Sequence, residues 1–171
     1  MNITVTGTTN KKLITQLKIA TEFYARRLMH KKTVSNLTID IEISKKHSEM
    51  GGCINEDATK RSRWFTIELR NQPDDDDIFR TLAHEMVHVK QYVKNELGEK
   101  LTVARGKNDV SPKSTWNGVV WKPNSLEHPY FDSPWEIEAF GREIGLYYTW
   151  EEFVKNGHDV TAATIISART C

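Results

Sequence analysis

The residues in this chain best placed to do chemistry are His84-Glu85-Met86-Val87-His88, an HExxH pattern. Two imidazoles four residues apart project from one helical face at a separation that suits a shared Zn²⁺ ion, and the glutamate between them flanks the same cleft. The chemistry implied is hydrolysis by a metal-activated water with Glu85 as general base. That reading requires a helix, and the flanking residues specify one. After the strand-breaking Asn71-Gln72-Pro73, the carboxylates of Asp74 to Asp77 favour a helix N-terminus. Ile78, Phe79, Leu82, Met86, Val89, Val93 and Leu97 then fall in one arc, with His84, His88, Gln91 and Asn95 on the opposite side. A plain solvated face would carry a Lys/Glu mixture, not Gln91 and Asn95 beside two histidines.

A catalytic zinc site needs a third protein ligand and an open position. The expected ligand helix is a long one starting at Ser133-Pro134 and running to about Val154. Glu136 lies at the edge of the arc of Ile137, Phe140, Ile144 and Tyr147, and Ala139 one turn on is small enough to admit a second helix. Glu138 leaves this helix nearly opposite, toward Gly141, Arg142 and Gly145. Glu136 is the expected third ligand; Glu138 and His128 are the alternatives, and Glu143 suits a supporting role behind a ligand. Ser133 and Glu136 also have the spacing of a capping box, which would occupy the carboxylate differently. Tyr130 is the expected donor to a developing oxyanion, with Tyr147 and His128 behind it.

These two motifs, His84-Glu85-Met86-Val87-His88-Val89-Lys90-Gln91-Tyr92 and Ser133-Pro134-Trp135-Glu136-Ile137-Glu138-Ala139-Phe140, resemble HExxH zincin metallopeptidases whose third ligand is a glutamate on a following helix. In particular they look like the small SprT-like metallopeptidases carried by tailed bacteriophages. The Glu136-x-x-Ala139 spacing is also similar to that of metallopeptidases that cleave phage-immunity repressors. The resemblance spans most of residues 11 to 150. It implies a minimal zincin-like fold and a peptide or protein substrate. The chain departs from true SprT-like proteins, which use a histidine as third ligand and often carry a further zinc or DNA-binding module.

The elements that must position these groups are legible in the remaining pattern. Leu13, Leu17, Ala20, Tyr24 and Leu28 recur at helical spacing behind a cap at Thr9 or Asn10, predicting a helix over 11–29. Leu37, Ile39, Ile41 and Ile43 alternate with polar residues, as do Phe65, Ile67 and Leu69, predicting two half-buried strands with Cys53-Ile54 as a short strand between. The strand over 63–70 is expected to offer an edge to an extended peptide. Gly98 is a plausible helix stop, Arg105 to Ser114 reads as a loop, and Trp116 to Trp121 as a short strand or hairpin. The expected class is therefore α+β, with an N-terminal helix, a small mostly antiparallel sheet, the HExxH helix and a C-terminal ligand helix in one domain over 1–171.

Composition narrows the setting. With 171 residues, 38% hydrophobic and 27% charged, the chain can bury a core; it contains no apolar run long enough to span a bilayer, and export through a secretory leader is not expected from residues 1–13. Two cysteines cannot build a disulfide framework, so a reducing cytoplasm is expected. Residues 1 to 63 hold 12 Lys and Arg against 6 Asp and Glu; from totals of 24 and 23 this leaves 12 against 17 for the rest. The basic clusters are dispersed and only Trp64 stands exposed among them, which argues against a nucleic-acid partner. A second class remains open, a zincin-like module that keeps its metal without hydrolysing, possible contact with nucleic acid included; Glu85 argues against it, since a binding module needs no base.

Overall fold

The computed structural model describes residues 1–45, 51–57, 61–71, 75–103, 110–122 and 129–156. Asp74, His128 and residues 105–109 of the expected loop lie outside them. The chain has the expected α+β class. Strand β1 (Asn2–Thr6) leads into α1 (Lys11–Leu28), capped by the Asn10 side chain, which accepts from the Lys12 and Leu13 amides. Leu13, Leu17, Ala20, Tyr24 and Leu28 are all buried, as the 3.6-residue period requires. A single helical turn, α2 (Lys31–Val34), precedes β2 (Thr38–Ser44), β3 (Gly51–Asn55) and β4 (Trp64–Arg70).

These four strands form a sheet in the order β1-β2-β4-β3. β1 pairs with β2 and β2 with β4 in parallel, while β3 runs antiparallel to β4. Across both sheets three of the five pairings are antiparallel, but the sheet beneath the site is mixed. The unanticipated β1 explains this: β1-α1-β2 is a crossover unit, and crossovers deliver parallel neighbours. Ile39, Ile41, Phe65 and Ile67 are fully buried on the helix-covered face, whereas Asp40 and Trp64 on the other face hydrogen-bond each other, Nε1 to Oδ2 at 2.7 Å. β4 is flanked on both sides, so the edge near the site belongs to β3, not to the 63–70 strand.

The HExxH helix α3 (Asp75–Val93) lays Leu82, Met86 and Val89 on this sheet. It ends earlier than its apolar arc: Asn95 adopts a left-handed φ of 56°, and the Glu96 amide reaches back to the Gln91 carbonyl at 2.8 Å. Leu97 therefore opens a strand and Gly98 is not the stop. β5 (Leu97–Val103), β6 (Val110–Trp116) and β7 (Val119–Val120) make a second, antiparallel sheet, which replaces part of the expected loop; Asn117 and Gly118, both at positive φ, turn the predicted hairpin.

Helix α4 (Pro134–Lys155) crosses α3. Its phase corrects the sequence expectation. Ile137, Phe140 and Ile144 are 60%, 41% and 47% exposed, and the buried stripe is Glu136, Ala139, Glu143 and Trp150. The reason is that α4 packs on the polar side of α3, whose imidazoles and amide need polar partners, and Ala139 lets the backbones approach. Trp150 anchors the far end, with ring centroids 5.5 Å from Phe23 and 5.7 Å from Phe79. No described helix is long and apolar enough to cross a membrane.

Candidate metal centre

His84 and His88 are buried under α4, each 7% exposed, with their Nε2 atoms 3.2 Å apart. Glu136 is brought against both: one carboxylate oxygen lies 3.3 Å from His84 Nε2 and the other 3.4 Å from His88 Nε2. Ser133, the first residue before the helix, makes no side-chain cap; its hydroxyl donates to the Tyr130 carbonyl at 2.7 Å. The capping-box alternative for Glu136 is thereby removed, and its carboxylate is left for the histidines.

The orientation of each imidazole is set from behind. His84 Nδ1–H donates to Glu143 Oε2 at 2.8 Å, and Glu143 is held in turn by the Arg80 guanidinium, whose Nε donates to Oε1 at 2.9 Å. His88 Nδ1–H donates to Gln91 Oε1 at 2.9 Å; the Gln91 amide nitrogen donates to the Trp135 carbonyl at 2.9 Å and to Glu138 at 3.1 Å, which fixes the amide's orientation. With both Nδ1 positions serving as donors, the two Nε2 lone pairs converge on each other and on a carboxylate.

Converging acceptors repel unless positive charge lies among them. The electrostatics express this need. Burial pulls the His84 pKa down, but the carboxylates of Glu136, Glu85 and Glu143 outweigh it and leave the group above its ordinary value. Burial dominates at His88 and lowers its pKa. Burial raises Glu136, yet the two histidines and a hydrogen bond from Tyr130 hold its carboxyl below the usual range, so it is ionised. Glu136 Oε2 is buried and has no hydrogen-bond partner among the described residues. Among the described residues, these three form a group that could hold a metal ion. Ligands at 2.0–2.1 Å around a tetrahedral zinc lie about 3.3–3.4 Å apart; the two Nε2 atoms stand 3.2 Å apart, each has a Glu136 oxygen within 3.4 Å, and one ligand atom from each of the three residues lies within 4.8 Å of the others. The donor set, its spacing and the orphaned oxygen fit such an ion.

A cavity of about 380 Å³ opens beside His84, lined by Glu85, Gly51, Arg80, Tyr130 and Phe140 among others. Glu85, the expected base, thus faces open volume next to His84. Gly51 on β3 makes room for it: a Cβ there would stand 2.8 Å from Glu85 Oε1 and 2.5 Å from the Thr81 methyl. Tyr130 hydrogen-bonds Glu136 and borders the cavity.

Of the other candidates, Glu143 takes the supporting position and Tyr147 packs against Tyr148, while His128 lies outside the described residues. Glu138 does not face away from α3 as its phase implied. It accepts from Lys90 at 2.6 Å, from Gln91 and from Arg142 at 2.8 Å, a polar clamp between the two helices rather than a metal ligand. Three contributors escaped the sequence reading. Arg80 sits one turn before His84 on the same stripe, a signal the sequence did contain. Gly51 and Phe140, whose ring lies 4.6 Å from the His84 ring, carried none, because their proximity arises only on folding. No family model matches this chain, and neither a curated protein nor a solved structure matches it.

Proposed function

We propose that the chain is a zinc-dependent metallopeptidase of the HExxH zincin type, acting on a peptide or protein in the cytoplasm. The observation that carries the reading is the acceptor-only cluster of His84, His88 and Glu136, with both imidazoles oriented from behind and Glu85 beside it in an open cavity. The resemblance of both motifs to phage-encoded SprT-like metallopeptidases supports the same assignment.

His84, His88 and Glu136 would hold the ion. When bound, zinc supplies Lewis acidity toward a substrate carbonyl and acidifies a coordinated water. The chain's own residues do the remainder. Glu85 takes the proton of the attacking water and returns it to the leaving amine. Tyr130 donates its hydroxyl hydrogen toward the oxygen on which negative charge develops. Glu143 and Gln91 keep the two Nδ1 protons in place, so that each imidazole presents its Nε2 lone pair throughout.

The test is metal analysis and hydrolysis of an unfolded polypeptide by wild type and Glu85→Gln. About one zinc per chain in both proteins, with hydrolysis lost in the variant, is the expected result. Absence of zinc uptake would sink the reading. Zinc uptake with no hydrolysis by wild type would favour a metal-keeping module that binds without cleaving.

A further inference from the structure

We propose that two copies of this chain pair through the outer face of α4, with the two helices parallel about a twofold axis that runs along them. At 100° per residue, Ile137, Gly141, Ile144 and Tyr148 fall within about 60° of one another, on the side of α4 turned away from the buried stripe of Glu136, Ala139 and Glu143. Phe140 borders this arc on the edge held by Ile144, and Gly145 borders it on the edge held by Gly141. All six are exposed, and the arc carries no charged residue between Ile137 and Tyr148.

The two glycines serve nothing inside one copy. Among the described residues, and apart from the helix's own neighbouring backbone, no heavy atom lies within 4 Å of where a Cβ would stand at Gly141 or Gly145. Glycine is among the poorest helix formers, so alanine at both places would suit the monomer better. A second helix lying against this face gives them a use. Bulky Phe140 and Ile144 form one edge of the face, and the glycines form the other. A twofold axis along the helices sets the bulky edge of each copy on the glycine edge of its partner, and the backbones approach closely. An antiparallel pair would oppose bulky to bulky and leave a void between the glycines.

The area is of the size a dimer needs. Ile137, Phe140, Ile144 and Tyr148 are 60%, 41%, 47% and 59% exposed, which at about 200 Å² for a large side chain comes to roughly 400 Å². Phe131, its ring 5.8 Å from that of Phe140, and Tyr130 beside it extend the apolar surface to roughly 600 Å². A stable interface takes about 600–1,000 Å² from each partner. A lipid surface suits the face less well, because Asp132, Glu138, Glu151 and Glu152 outnumber Arg142 and Lys155 around it and anionic headgroups would repel them. Phe131 and Phe140 also wall the cavity beside His84, so the contact borders that cavity, but the pairing does not depend on the peptidase reading.

Sedimentation velocity of the full-length protein in reducing buffer, from about 100 nM to 100 µM, tests the pairing, since interfaces of standard size hold with micromolar or tighter constants. A dimer, or a monomer–dimer equilibrium, is expected in that range. Gly145→Leu fills open space in one copy and should leave the circular dichroism spectrum intact with Tm unchanged or higher, while raising the dissociation constant about tenfold or more. Ile137→Glu and Ile137→Lys should each be monomeric, and an equimolar mixture of the two should recover the dimer, because parallel helices bring residue 137 of both copies together. A wild-type monomer at every concentration, a dimer that Gly145→Leu leaves intact, or a mixture no more associated than its components would overturn the inference. So would a wild-type monomer that co-sediments with phosphatidylcholine–phosphatidylserine vesicles, since lipid would then cover the face.

Discussion

Glu143 and Gln91 stand in the same relation to His84 and His88, and comparing their removal tests the account of how the imidazoles are held. Loss of an outer hydrogen-bond partner of a metal-bound histidine costs about 10- to 100-fold in affinity, or about 1.4–2.8 kcal/mol. Glu143 is a carboxylate acceptor at 2.8 Å and is itself braced by the Arg80 guanidinium, so Glu143→Ala belongs in that range. Gln91 is a neutral acceptor at 2.9 Å. Neutral hydrogen bonds are worth roughly half as much as charge-assisted ones, which puts Gln91→Ala at about 3- to 10-fold. Stability of the metal-free protein should rank the other way. Gln91 is fully buried, and its truncation strands the Trp135 carbonyl and the His88 Nδ1–H, at a cost of about 1–3 kcal/mol. Truncating Glu143 leaves Arg80 to be solvated, since that side chain is 49% exposed, and the His84 Nδ1–H it strands borders the open cavity, where water can pair with it, so the loss should be about 1 kcal/mol or less. Zinc affinity by competition with a chromophoric chelator, and urea unfolding of the metal-free variants, measure the two quantities. Wild-type zinc affinity in Glu143→Ala, or one ranking in both assays, would refute the reasoning.

Three further outcomes are expected. Glu136→Ala should lose zinc affinity by at least 100-fold, whereas Glu138→Ala should stay within about threefold of wild type but unfold more easily by about 1–3 kcal/mol, because Lys90, 5% exposed, is left with Glu96 alone; chelator competition and urea titration check both, and the reverse pattern would reassign the third ligand. Gly51→Ala should lower kcat/KM by tenfold or more with little change in zinc content, because the new methyl displaces the Glu85 carboxylate as well as the Thr81 methyl; unchanged turnover would show that Glu85 does not need its present position. Burial raises Tyr24 well above the tyrosine range and pushes Tyr92 up to about 12. A raised folded pKa gives stability that is complete below the unfolded value of about 10 and is lost as pH rises through the folded one. An ultraviolet titration should therefore show two of the five tyrosines ionising only above pH 10 and together with unfolding; ordinary titration of all five in the folded state would contradict the packing.

What the sequence determined by itself is what depends on near neighbours. The apolar period located α1 almost to the residue and α3 at its start though not its end, alternation located β2 and β4, and the HExxH spacing placed two imidazoles on one side of a helix, because each of these relations is closed within a few residues. Glu136 was reachable by the same logic, since a ligand helix needs a carboxylate with a small residue one turn away. Tertiary structure decided the rest. Alternation is identical in parallel and antiparallel strands, so β4 read as an edge although β2 and β3 flank it. The phase of α4 was misjudged because its buried stripe is not its most apolar one: Glu136 and Glu143 are drawn inward by His84, His88 and Arg80, and Ile137 and Ile144 are left outside. The same inversion accounts for Glu138, whose partner Lys90 is far away in the chain. A charged group goes inside only where opposite charge or a donor awaits it, and whether one does is settled by which helices cross, a relation between segments tens of residues apart that no local pattern encodes.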